Sequence, residues 1–200
     1  MTDLDLYLNF ILHAVLGKLG EADALMSIAG EGIRSVADRL AAKYHIEPKP
    51  IYRGMLLDPD VPYKLDPKLA FVSWSEDRDV ARWFACPRSV VSEPAMAMNP
   101  KFVSFIAEMP SPQSRVLFHH AWLDQGLVNG VAALALMHPL MGAEGRRQIE
   151  WSLRTQREVI TAPVEGLVPV RAPDINTQAL AELERRLAPP WIIAAEGIRT

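Results

Sequence analysis

Three short segments carry side chains whose chemistry could combine: Arg53 in Tyr52-Arg53-Gly54, the serines of Ser73-Trp74-Ser75, and Glu158 in Gln156-Arg157-Glu158. A guanidinium grips a phosphate-like anion through paired charge-assisted hydrogen bonds, which a lysine ammonium does less well. A carboxylate set beside a sugar stabilises the positive charge that builds as a glycosidic bond breaks. A hydroxyl on a neighbouring strand can orient such a carboxylate. Taken singly, Arg53 would be an ordinary surface or salt-bridging arginine and Glu158 a solvated acid. Their settings argue otherwise: Arg53 lies between Tyr52 and Gly54 in a strand-like run, and Glu158 leads directly into Val159-Ile160. A competing Gln-x-Glu, Gln148-Ile149-Glu150, runs instead into Trp151-Ser152 in a polar stretch, with no β-branched residue directly after it.

Other reactive side chains have plainer readings. His119 and His120 are neighbours in a strand-like run, so they should face opposite sides, one in the core and one exposed, with no metal-binding pair and no carboxylate partner. Ser75 reads as a helix N-cap. Trp74 and Trp83 read as packing residues, Cys86 as inert, and Arg146-Arg147 as a solvated charge pair.

The elements that must position these groups follow from periodicity. Apolar residues recur every three or four positions from Asp3 to about Lys18, and again from Glu31 to Tyr44, predicting two amphipathic helices. Strands are expected at Ile51 to Leu56 and Leu69 to Trp74. A helix capped by Ser75, with Glu76 and Asp77 at its positive end, should follow until Pro87 stops it. The proline-containing stretch from Cys86 to Lys101 reads as a long loop. Further strands are expected at Phe102 to Met109, Val116 to Trp122, Val159 to Thr161 and Leu167 to Val170, the last two pairing across the Pro163 to Gly166 turn. A helix at Leu127 to Met137, a polar region from Gly142 to Thr155, a final helix at Thr177 to Leu187 and an apolar tail at Trp191 to Ala195 complete the pattern. Helices first, then strands with interposed helices, argue α+β over a doubly wound parallel sheet.

With 200 residues, half of them apolar, the chain can bury one core. The expected organisation is a single domain with a helical part at 1–47, a β-rich core at 48–172 and a C-terminal helix and tail at 173–200. Twenty-one basic and 24 acidic side chains leave a net charge of -3, which gives no whole-chain attraction to nucleic acid or an anionic membrane. A single cysteine cannot close an intramolecular disulfide, which fits a reducing, cytoplasmic setting. Asp3 and Asp5 precede the first apolar stretch, unlike a secretory leader. Leu127 to Met141 is interrupted by Gly130 and Pro139 and is too short for a membrane span.

In the order Tyr52-Arg53-Gly54, Ser73-Trp74-Ser75, Gln156-Arg157-Glu158, the chain resembles the mono-ADP-ribosyltransferases of the Arg-Ser-Glu type, which include many bacterial toxins and phage enzymes. The resemblance spans roughly Ile33 to Val170 in outline and rests on pattern outside the three motifs. It implies an α+β fold with a split two-sheet core, N-terminal helices and a cleft for NAD, which is consumed as a substrate; no metal is implied. On this basis Arg53, with Gly54, Ser73, Ser75 and Arg88, would hold NAD. Glu158 would be the catalytic carboxylate and Ser73 its orienting hydroxyl. Gln156, two residues before the glutamate, would select the acceptor, favouring Asn or Gln over Arg, and Trp151 would offer an aromatic face to that partner. The acceptor is a macromolecule, with protein favoured over nucleic acid. Two rival expectations are an NAD glycohydrolase using the same triad and an inert interaction protein of the same fold.

Overall fold

The computed structural model describes residues 2–15, 19–66, 68–89, 99–111, 115–122, 151 and 155–188. The helix expected at 127–137, the centre of the long loop, most of the polar region with Arg146, Arg147 and the competing Gln148-Ile149-Glu150, and the tail at 191–195 lie outside the described residues. Within them the fold is α+β.

Helix α1 (Asp3–Val15) buries Tyr7, Phe10, Ile11, Leu12, Ala14 and Val15, a broad apolar face. A reciprocal cap starts it: the Asp5 amide donates to Thr2 Oγ1 at 3.2 Å, and the Thr2 amide donates to the Asp5 carboxylate at 2.7 Å. Helix α2 (Leu19–Lys43) is longer than its sequence pattern predicts and is kinked at Ala29, where φ is -132°. The predicted helix from Glu31 is the part beyond the kink. The earlier part buries only Ala22 and Met26, too sparse a stripe to show as periodicity.

Six antiparallel strands form one sheet: β1 (Pro50–Leu57), β2 (Val72–Ser75), β3 (Val103–Pro110), β4 (Val116–His119), β5 (Glu158–Thr161) and β6 (Val170–Arg171), in the order β4-β5-β2-β1-β3-β6. The expected two separate sheets are therefore not what the described strands make. The sheet is nevertheless divided in strength. β1 and β3 pair along their whole length, from Pro50↔Pro110 to Leu57↔Val103, and β2 pairs with β5 from Val72↔Thr161 to Ser75↔Glu158. Between these halves, β1 meets β2 at the single pair Tyr52↔Ser75. The split is a seam inside one sheet.

β5 and β6 do not pair with each other as expected: β5 lies between β4 and β2, and β6 pairs with β3 at the far edge. Pro163 and Pro169 favour an extended link and remove backbone donors, so residues 162–169 cross the sheet end without closing a hairpin.

One face of the sheet, carrying Ile51, Val72, Trp74, Ala107 and Val159, packs with α1 and α2 into the main core. Helix α3 (Arg78–Phe84) lies against the other face. Val80, Trp83 and Cys86 form a second cluster with Leu180, Leu183 and Leu187 of helix α5 (Thr177–Leu187), whose N-cap, Asn176, accepts from the Ala179 amide. β4 ends in a single helical turn, α4 (His120–Trp122). No helix among the described residues is long and apolar enough to cross a membrane.

Candidate active site

The seam opens into a cleft of about 280 Å³, near the lower end of small-molecule sites. Its lining takes in Arg53, Gly54, Ser73, Ser75, Gln156 and Glu158, residues drawn from all three motifs, with Val80, Ala81 and Phe84 of α3 forming an apolar wall. Five consecutive residues of β1, Tyr52 to Leu56, border it, because beyond Tyr52 β1 has no β2 partner and both its faces open onto the seam.

Glu158 is the first residue of β5, directly opposite Ser75, so the two side chains share a face with Ser73. Its side chain is buried, and the residue is 6% exposed. Burial pushes its carboxyl up to about 7, partly countered by a side-chain hydrogen bond from Ser73. Glu158 Oε2 has no hydrogen-bond partner. A buried carboxylate oxygen without a partner is costly.

Arg53 supplies the opposite charge. One guanidinium nitrogen donates to the Ser73 carbonyl at 2.9 Å and bridges the seam where a strand ladder bond is missing. Its Nε is buried without a partner. Burial lowers its affinity for its proton, and nearby Tyr63 opposes that shift. Among the described residues neither Arg53 nor Glu158 forms an ion pair. The cleft thus presents a spare donor and a spare acceptor on opposite sides of the seam.

Gly54 has a structural reason to be glycine. A Cβ there would lie 1.8 Å from the Ala81 carbonyl oxygen and 2.8 Å from the Ala85 amide nitrogen, so only glycine lets α3 settle on β1. Its place in the cleft follows from this approach.

Ser75 is not the cap of α3; that is Asp77, whose side chain accepts from the Asp79 amide at 2.9 Å. β2 extends through Ser75, which moves the start of the helix two residues on. The Ser75 hydroxyl donates to the Gln156 carbonyl at 2.5 Å and accepts from the Asp77 amide at 2.9 Å. It ties the end of β2 to the turn before Glu158. In that turn Gln156 borders the cleft, and Arg157 has φ 49°, a left-handed conformation that non-glycine residues adopt at a cost.

One expected contact is corrected. Arg88 does not border the cleft: its guanidinium donates to the Ile175 carbonyl in the loop before α5, drawn there because α3 and α5 pack together. Trp151 packs against Trp83 at 6.3 Å between ring centroids, and its indole N–H donates to the Leu187 carbonyl at 2.9 Å. The ring is half-buried and packs against the apolar cluster of α3 and α5.

The histidine pair also differs from expectation. The strand ends at His119 and the chain turns helical at His120, so alternation fails and both rings point the same way, stacked 4.8 Å apart. They converge on Glu76, with Nε2 of His119 3.1 Å and Nε2 of His120 2.9 Å from its two carboxylate oxygens. Arg157 reaches the same carboxylate at 3.3 Å. Hydrogen bonds from His119 and His120 hold the Glu76 carboxyl well below the usual range, against the opposing effect of burial. This constellation escapes sequence reading because it depends on a strand-to-helix switch between two adjacent residues.

No family model, no curated protein and no solved structure matches this chain.

Proposed function

We propose that the chain transfers ADP-ribose from NAD to a macromolecular acceptor, releasing nicotinamide. One observation carries this reading: Arg53, Ser73 and Glu158, far apart in sequence, border one cleft in which Arg53 Nε and Glu158 Oε2 are both buried and unpartnered. Arg53 grips the pyrophosphate. The Ser73 hydroxyl holds Glu158, whose free oxygen takes a ribose hydroxyl and stabilises positive charge on the sugar as the bond from C1′ to the nicotinamide nitrogen breaks. Nicotinamide leaves with the bonding electrons. An acceptor nitrogen then bonds to C1′, and its proton passes to a carboxylate that titrates near neutrality. Gln156, bordering the cleft two residues before Glu158, hydrogen-bonds an amide but offers no charge to a guanidinium, which favours Asn or Gln of a protein over Arg.

The binding half of this reading is tested by thermal unfolding with NAD. At a concentration about 100 times Kd, NAD should stabilise the wild type by roughly 2.7 kcal/mol. Arg53→Lys should weaken that stabilisation, because an ammonium cannot reproduce paired contacts to a pyrophosphate. An unchanged melting temperature across millimolar NAD contradicts the proposal.

A further inference from the structure

We propose that Glu76, held by His119 and His120, is a positioning residue that clamps the turn bearing Gln156 and Glu158 from the opposite face of the sheet. This rests on the transferase reading of the cleft for its catalytic consequence, but the clamp itself is a structural claim. Side chains alternate along β2, so Ser73 and Ser75 share the face of Glu158 while the Trp74 ring is buried with Val159 in the core beneath α1 and α2. Glu76 lies just past the strand, and its contact with His119, the pairing partner of core-facing Val159, places its carboxylate on the Trp74 side. There its amide donates to the Arg157 carbonyl at 3.3 Å, and its carboxylate meets the Arg157 guanidinium at 3.3 Å.

The carboxylate is immobilised before it reaches Arg157. The Glu76 side chain is 5% exposed and each of its oxygens has its own imidazole nitrogen. The Ala121 amide donates to Nδ1 of His119 at 3.2 Å, which assigns the ring hydrogen to Nε2, as a donor to Glu76. A cation held at that position would need the Nε2 lone pair, so these hydrogen bonds favour a clamp over a metal site. Its target is the left-handed Arg157, between two residues that border the cleft. Fixing Arg157 sets the separation between the Gln156 amide and the Glu158 carboxylate. Arg53, on β1, is outside this linkage.

The test uses the full chain carrying Glu76→Gln, Arg157→Ala or Arg157→Lys. The Arg157 side chain is 46% exposed, so its variants keep the fold even where Glu76→Gln does not. Loss of the clamp should lower kcat for transfer by about tenfold to a hundredfold, the scale of a small misplacement of reacting groups. The KM for NAD should stay within about twofold, and Arg157→Lys should recover part of the loss. Combining Glu76→Gln with Arg157→Ala should add little to the stronger single variant, since both break one link. Amide exchange over residues 155–161 should be faster in Glu76→Gln and Arg157→Ala, with exchange in β3 unchanged. Wild-type exchange at 155–161 together with wild-type kcat in Arg157→Ala overturns the proposal, as does stabilisation by Zn²⁺ that Glu76→Gln abolishes. If the wild type consumes no NAD, the transferase reading fails, while the exchange measurement still decides the clamp.

Discussion

At the scale of single residues, Glu158 concentrates the trade between stability and chemistry. Its carboxyl, ordinarily near 4.5, is pushed up to about 7 by burial. Between those values the unfolded chain has released this proton while the folded chain keeps it, so the unfolded state binds fewer protons and stability falls as pH rises. The contribution is fully present below 4.5, is lost up to 7 and stays lost above it; the interval corresponds to roughly 3 kcal/mol. Glu76 has the opposite sign: its lowered carboxyl adds stability above the ordinary value that disappears in acid. Glu158→Gln removes a buried charge, so at pH 8 it should raise the urea midpoint while abolishing NAD turnover. A lower midpoint would show that the carboxylate is paid back by contacts in the free protein. The proposed transferase needs the ionised form, so kcat/KM in the wild type should climb through about pH 7 and level off above it.

That Arg53, Ser73 and Glu158 would come together was legible in the sequence, because each stands in a short pattern with a chemical reason, and the three border one cleft. Glu76 was not. Its importance comes from three partners on other segments, and no local spacing announces them. Arg88 was placed by analogy, and the Ile175 carbonyl before α5 holds it instead.

At the scale of elements, the contact between β1 and α3 decides whether the cleft exists. Gly54 lets the helix backbone lie on the strand, and α3 provides the cleft's apolar wall. Gly54→Ala should cost about 1–3 kcal/mol or more, since the obstacle is backbone and cannot rotate aside. Urea unfolding measures it, and wild-type stability in the variant would mean that α3 does not sit where it is described. Strand and helix existence read well from periodicity, including α5, whose observed bounds are those expected. Pairing did not: the eight residues between β5 and β6 suit a hairpin in sequence, yet the two strands find partners at separate places in the sheet. Local pattern specifies a strand, whereas its neighbour is chosen by burial across the whole sheet.

For the whole molecule, the notable feature is a sheet that is strong on both sides and weak in the middle. Eight register pairs hold β1 to β3 and four hold β2 to β5, while one joins β1 to β2. A continuous ladder would close the cleft; a complete break would leave the edges of β1 and β2 unpaired. The Arg53 bond to the Ser73 carbonyl replaces part of the missing ladder, so a ligand that recruits Arg53 acts directly on the joint between the halves. The α+β class was readable from the order of segments; the seam, which depends on how far β2 extends beside β1, was not.

The reaction proposed for this seam is the binding of NAD and the passage of its ADP-ribose to a macromolecule. Its most direct test incubates wild type and Glu158→Ala with NAD labelled in the adenylate, with and without cell lysate, and recovers protein, nucleic acid and free ADP-ribose separately. Label on protein is expected with the wild type alone. Free ADP-ribose with no labelled macromolecule would replace transfer with hydrolysis, and intact NAD in every reaction would contradict the claim.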